Sequence, residues 1–140
     1  MKLQFRPWQK SDLSQMTRMW NDILTDGDAF PGTELYEEGP FGAYLGEQTA
    51  ATCLLLEGAL AGYYILHPNN IGRCGHVANA SYVLDRAFRG RGLGRPLVER
   101  SLEEAAALGF QTVGTIPGGF LLPDGTYSDM YVMYRSLGPA

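Results

Sequence analysis

The chain has 140 residues, 45% of them apolar and 19% charged, which suits one folded domain spanning 1–140 and excludes a disordered chain or one that needs disulfide or metal staples. Its 11 basic and 15 acidic residues leave a net charge of −4, which argues against a nucleic acid or an anionic membrane as partner. No apolar run approaches the roughly 20 residues of a membrane helix, the opening MKLQFRPWQKSD has no secretory apolar core, and the two cysteines, Cys53 and Cys74, make neither a disulfide framework nor a metal site. The expected setting is therefore reduced and cytoplasmic.

Leu3 to Arg6 alternates apolar and polar residues before Pro7, the pattern of a short strand. Ser11 or Asp12 offers an N-cap, and Leu13, Met16, Trp20, Ile23 and Leu24 recur at helical spacing, predicting a helix over 12–24 that Asp26-Gly27-Asp28 stops. The Gly-, Pro- and Glu-rich segment from Phe30 to Phe41 reads as a loop, with room for a short helix around Ala43 to Gln48. Thr52 to Leu56 and Leu60 to Leu66 are apolar runs joined by Glu57-Gly58-Ala59, an antiparallel hairpin ended by His67-Pro68-Asn69-Asn70. A further strand is expected over 77–85.

A helix is expected from Arg95 to Leu108, with Leu97, Val98, Leu102, Ala105 and Leu108 as its apolar stripe and Glu99, Arg100, Glu103 and Glu104 facing water. Gly109 suits its C-terminal end. Two last strands, 110–116 and 126–134, flank a turn-rich segment from Pro117 to Gly125. The order amounts to an α+β fold with a mixed, mostly antiparallel sheet flanked by helices.

Glycine is abundant, 18 residues in all, against a usual share of about 7%. The run RAFRGRGLGRPLVERSLEEA, from Arg86, concentrates them where a strand hands over to a helix. A helix N-terminus presents free N–H groups and the positive end of its dipole. Glycines let those groups approach an anion closely, and Arg89, Arg91 and Arg95 add charge. The construction suits a pyrophosphate. It is not a P-loop, which needs G-x-x-x-x-G-K-[ST]. Nor is it a dinucleotide fingerprint, because the spacing is G-x-G-x-G and no acid stands on the following strand. The remaining alternative is a flexible loop with a solvated arginine cluster.

Arg89-Gly90-Arg91-Gly92-Leu93-Gly94 matches the R-x-x-G-x-G/A loop of the GCN5-related N-acetyltransferases, the GNAT superfamily. HVANASYVLDRAFRGRGLGRPLVERSLEEAAALGF resembles that family's fourth strand, acyl-CoA loop and third helix in unbroken order. VGTIPGGF and YSDMYVMYRSL are similar to its last two strands, and RPWQKSDLSQM to its first strand and helix. The resemblance implies an N-acetyltransferase that passes an acetyl group from acetyl-CoA, its cosubstrate, to a primary amine of a small molecule or amino acid. Transfer would be direct, in a ternary complex, with no cysteine intermediate. It implies that Tyr82, Val83 and Leu84 lie along the pantetheine arm and that Arg89, Gly90, Arg91, Gly92, Leu93, Gly94 and Arg95 surround the pyrophosphate. Pro96 fits the first helical turn but has no N–H to give.

The chain departs from the family after Leu108-Gly109-Phe110. About 20 residues, the usual fifth strand and fourth helix, are expected to be missing, judged from ordinary element lengths. With that helix goes a tyrosine that often protonates the leaving thiolate. The altered sheet makes a second copy of the chain a candidate to complete it through an exposed edge.

An attacking amine must be neutral, and alkylamines titrate near 10.4, so a base helps. His76, Asp85, Glu34, Glu37 and Glu38 are the candidates. Asn79, unusual inside a strand, can donate to a substrate carboxylate or to a neighbouring carbonyl. A backbone N–H near Tyr82 would stabilise the tetrahedral intermediate. Tyr127, Tyr131 or Tyr134 could replace the lost acid. His76, Asn79 and Tyr127 are thus the expected catalytic residues. The competing expectation is a non-catalytic acyl-CoA-binding or dimeric interaction module on a degenerate fold; a nucleotide-binding module is the third.

Overall fold

The computed structural model describes residues 2–27, 34–68, 77–121 and 127–134. A six-stranded sheet runs in the order β1 (Leu3–Pro7), β2 (Ala50–Leu56), β3 (Ala59–Pro68), β4 (Val77–Leu84), β6 (Tyr127–Tyr134) and β5 (Gln111–Leu121), with every neighbouring pair antiparallel. Helices α1 (Leu13–Asp26) and α2 (Glu38–Gly46) precede β2, and α3 (Gly94–Ala107) joins β4 to β5. The α+β class and the mostly antiparallel sheet follow the sequence reading. After α3 the chain makes two strands and no further helix among the described residues.

Two cores lie on opposite faces of the sheet. On one face Met16, Met19, Trp20 and Ile23 of α1 and Phe41 and Leu45 of α2 cover Cys53, Tyr63, Ile65 and Val83. On the other, Leu93, Leu97 and Ala105 cover Leu54, Leu56, Tyr64 and Leu66. The two-residue alternation of strands explains β2, where Cys53 and Leu55 face α1 while Leu54 and Leu56 face α3. In β3 the alternation breaks at Ala61. Leu54 pairs with Gly62 and Leu55 with Leu60, so Ala61 is an extra residue, a bulge that resets which side chains face which helix.

The β2–β3 turn forms through Glu57 (φ 51°) and Gly58 (φ 82°), two successive left-handed residues as a tight hairpin requires. Gly27, at φ 74°, ends α1 as its sequence suggests.

Several expectations need correction. α2 begins at Glu38 rather than near Ala43, inside the segment read as a loop. Gly39, Pro40 and Gly42 are poor helix formers, but Phe41 and Leu45 are buried against Trp20, and that burial decides the conformation. Pro40 stands in the first turn, where its missing N–H is harmless. β5 runs through Pro117 to Leu121, with a register irregularity between Ile116 and Phe120. Proline is tolerated there because β5 is the last strand of the sheet. Leu108 does not join the apolar stripe and is 39% exposed. Glu104 does not face water: Thr52 Oγ1 donates to it at 2.9 Å and Tyr64 Oη at 2.6 Å. Asp12 holds the N-cap position of α1, but its side chain makes no cap hydrogen bond there. Its carboxylate accepts from Arg6 at 2.7 and 2.9 Å and from the Gln9 N–H at 2.8 Å.

Candidate functional site

β4 ends beside a bulge-tightened stretch of β3 and hands over at Asp85 to a 3-10 turn, Arg86–Phe88. The glycine run follows, and α3 starts at Gly94. Arg89 to Gly92 are exposed, whereas Leu93 is 1% exposed and packs with Leu97 in the α3 core. Leu93 therefore anchors the far end of the loop.

Gly90 and Gly92 both have φ +76°, and Arg91 between them does not. Where left- and right-handed residues alternate, successive N–H groups turn toward one point, a concavity suited to an anion. A left-handed conformation strains any residue with a Cβ, which accounts for glycine at these two positions. No side chain caps α3, and Leu97 N–H donates to the Leu93 carbonyl at 3.2 Å. From Gly90 to Arg95 no backbone N–H donates to an acceptor among the described residues. The N–H groups of Gly94 and Arg95, in the first turn of a 14-residue helix, lie at its positive end, and those of Gly90 to Leu93 lie in the loop that leads into it.

The arginine side chains are more occupied than the sequence suggests. Arg89 Nε donates to the Leu84 carbonyl at 3.2 Å, and its Nη1 lies 3.8 Å from Asp26. Arg91 donates to the Ala87 carbonyl at 3.2 Å and sits 5.1 Å above the centre of the Phe88 ring. Arg95, 87% exposed, pairs with Glu99 at 2.8 Å. Their positive charge stays local even where their hydrogen bonds are internal.

Among the described residues β6 pairs with β4 only at Val77 and Ala78, and the two strands part from Asn79 onward. Asp85 N–H donates to the Ala61 carbonyl at 2.9 Å. By the two-residue alternation of an antiparallel ladder, Val83 directs its backbone polar groups at β3, and Tyr82 and Leu84 direct theirs toward the parting. The three strand residues named from the sequence are thus not equivalent. Val83 is fully buried under α1, while Tyr82 and Leu84 pack on the α3 side, where Tyr82 Oη meets Ser101 Oγ at 2.8 Å.

The expected chemical groups are not all gathered here. Asn79 Oδ1 accepts the N–H of Ala80 at 2.8 Å, a local bond. His76 lies outside the described residues, as does Cys74. Tyr127 opens β6 and Tyr131 lies within it, but their side chains are outside what the structure describes. Asp85 is removed as a base. Burial would raise its pKa, but the Arg18 hydrogen bond, the Ala87 N–H and the charges of Arg18 and Arg89 outweigh it and hold the carboxyl below its ordinary value. Cys53 is fully buried, and burial first, then the nearby Asp12 charge, pushes its thiol up to about 12, so it is a packing residue and no nucleophile.

Two features escaped the sequence reading. His67, treated only as a strand end, places Nε2 3.1 Å from Ser81 Oγ, and it stands opposite Asn79 in the β3–β4 register. No spacing in the sequence relates these residues; only the register does. The second is an open depression of about 490 Å³ between α1 and the segment leading to α2, bordered by Arg18, Asn21, Asp22, Tyr36, Glu37 and Glu38. Asn21 holds that segment by exchanging two hydrogen bonds with the Tyr36 backbone, at 2.8 and 2.9 Å.

The model of the acetyltransferase (GNAT) family matches residues 8–117. The chain belongs to this family. It is 33% identical over 54 residues to the curated N-acetyltransferase aca1 of Schizosaccharomyces pombe, covering 39% of this chain and 26% of that protein. The matched stretch thus spans about a quarter of that relative. A GCN5-related N-acetyltransferase from Kribbella flavida superposes with a TM-score of 0.66 at 24% identity, covering 96% of this chain and 98% of that one. A GNAT-superfamily phosphinothricin acetyltransferase from Sinorhizobium meliloti, solved in complex with acetyl-CoA, gives a TM-score of 0.67 at 20% identity, covering 99% and 90%. These structural likenesses establish the GNAT fold.

Proposed function

We propose that the protein is an acetyl-CoA-dependent N-acetyltransferase acting on a primary amine of a small molecule or amino acid. The observation that carries this reading is the run of six N–H groups from Gly90 to Arg95, without protein acceptors among the described residues, at the uncapped start of α3. A diphosphate bearing two negative charges matches it in charge and in hydrogen-bonding sense. Family membership supports coenzyme A as the bearer of that diphosphate, and the acetyl-CoA complex of the phosphinothricin acetyltransferase supports it further.

In this reading the backbone N–H groups of Gly90, Arg91, Gly92, Leu93, Gly94 and Arg95 hold the diphosphate, and the Arg89 N–H remains with the Arg86 carbonyl. The pantetheine arm runs into the parting of β4 and β6, where Tyr82 and Leu84 offer backbone groups to its amides. The amine nitrogen attacks the thioester carbonyl. A C–N bond forms, the C–S bond breaks, and the sulfur leaves with the electron pair. The surplus amine proton passes to a base or to water, and the thiolate, of pKa about 8.5, leaves with or without a proton donor. His76, Asn79 and Tyr127 remain the candidates for proton transfer and acceptor binding. Glu37 and Glu38 beside the depression would draw a cationic amine toward it. The same reading takes the protein as cytoplasmic, with a homodimer formed through a sheet edge, β1 or β5.

The test is release of free thiol from acetyl-CoA in the presence of a panel of primary amines and amino acids, with CoA binding measured in parallel. Turnover with any amine establishes the activity. Tight binding without turnover establishes the non-catalytic acyl-CoA module instead. CoA bound no better than NAD or ATP overturns both.

A further inference from the structure

The turn before the glycine run is held from behind by α1. Arg18, Asp22 and Asp26 are four residues apart and share one face of that helix. Asp26 pairs with Arg86 at 2.5 Å and lies 3.8 Å from Arg89. Asp22 lies 3.6 Å from Arg86 and 3.2 Å from Arg18. Arg18 in turn pairs with Asp85. Most of these side chains are a quarter to a half exposed, so each pair by itself stabilises little.

Asp85 is different. It is 9% exposed, and three elements meet on it. Its N–H donates to the Ala61 carbonyl of β3 at 2.9 Å, and its Oδ2 accepts from Arg18 of α1. Its Oδ1 accepts from the Ala87 N–H at 2.9 Å, and its carbonyl accepts from the Phe88 N–H at 2.9 Å, closing the 3-10 turn. Asp85 thus holds one end of the intervening loop and the buried Leu93 the other, with two left-handed glycines between them. An anion cradle is effective only when its N–H groups are set before the anion arrives, because ordering them on binding consumes affinity.

We propose that Asp85, clamped by Arg18, is the positioning residue for this loop: it sets the turn that aims the N–H groups of Gly90 to Arg95. The inference rests on reading that loop as the diphosphate cradle of coenzyme A. Asp85 acts through the turn and not by contact with the anion, since its own negative charge would oppose one.

The test is CoA binding by calorimetry, with amide hydrogen exchange across the loop. Asp85→Ala is expected to weaken CoA binding at least tenfold and to speed exchange from Arg89 to Gly94, with β2 and β3 unchanged. Asp85→Asn keeps an acceptor for the Ala87 N–H but sets an amide donor against Arg18, and Arg18→Ala leaves the β3 and turn contacts in place. Each loses the clamp and keeps the turn, and each is expected to weaken binding between threefold and tenfold. Asp85→Ala or Arg18→Ala proteins that fold and bind CoA within threefold of the parent, or an Asn variant as weak as the Ala variant, overturn the proposal. Gly92→Asp separates this failure from that of the cradle: if it abolishes binding while Asp85→Ala does not, only the positioning role is lost, whereas unchanged binding in Gly92→Asp removes the cradle itself.

Discussion

A Cβ added to Gly62 would lie 2.4 Å from the carbonyl oxygen of Val83 and 2.9 Å from Leu84 Cδ2. β3, bulged against β2 at Ala61, pairs Gly62 with Leu84 just before β4 enters the turn. Gly62→Ala is therefore expected to destabilise the fold by about 1–3 kcal/mol, because a backbone carbonyl cannot move aside as a flexible side chain can. Gly39→Ala, on α2 with open space around it, is the control, expected to be neutral or to stabilise by up to about 1 kcal/mol. Denaturant melts of the two variants measure both. Equal midpoints would show that the strands have room to separate.

Gly92→Asp is expected to fold. The added Cβ meets nothing within 4 Å, and the left-handed backbone costs about 1–2 kcal/mol. Its carboxylate would stand at the mouth of the cradle, opposing a diphosphate, so CoA affinity is expected to drop at least tenfold. Gly92→Ala, which carries the strain without the charge, should lose less. The comparison of the two by calorimetry isolates the electrostatic part.

Stability is expected to fall on acidification below the ordinary aspartate value of 3.8. The Arg6 hydrogen bond, with help from the Gln9 N–H and the Arg6 charge, outweighs burial and lowers the pKa of Asp12. Asp85 is lowered too. A carboxyl whose folded pKa lies below its unfolded one binds fewer protons when folded. Its contribution is complete above the unfolded value and is lost as pH drops through the folded one. The melting temperature should be flat from neutral pH to about 4 and decline below it. Asp12→Asn should lose about 2 kcal/mol at neutral pH and show a shallower acid decline. A parallel decline in parent and variant would exclude Asp12 as a source.

Cys53 is expected to resist alkylation while the protein is folded. Its thiol is fully buried, and burial pushes it up to about 12, so almost none is thiolate at neutral pH. In a Cys74→Ser background, which leaves one thiol to follow, iodoacetamide labelling should require unfolding, and treating the folded protein should leave acetyl transfer unchanged. Rapid labelling of the native protein would contradict the packing assignment.

Local chemistry made much of this protein legible without coordinates. The period of α1, the hairpin at Glu57-Gly58 and the strand–glycine–helix run from Val77 to Ala107 depend on residues within a few positions of one another, and they form where the spacing places them. The same holds for the loop that matches the GNAT pattern, since backbone N–H groups at a helix start need only a turn and small residues. Tertiary structure decided the rest, because its partners are far apart in the chain. Glu104 turns inward to meet Thr52, 52 residues away, and Tyr64. α2 forms against its own weak propensity because Phe41 and Leu45 are buried under α1. Asp85, a strand-end charge in the sequence, becomes the joint between β3, α1 and the loop only when Arg18, 67 residues earlier, closes on it. Where β6 leaves β4, and so where an arm could enter the sheet, follows from strand register, which is set by packing over the whole sheet and is written in no single segment.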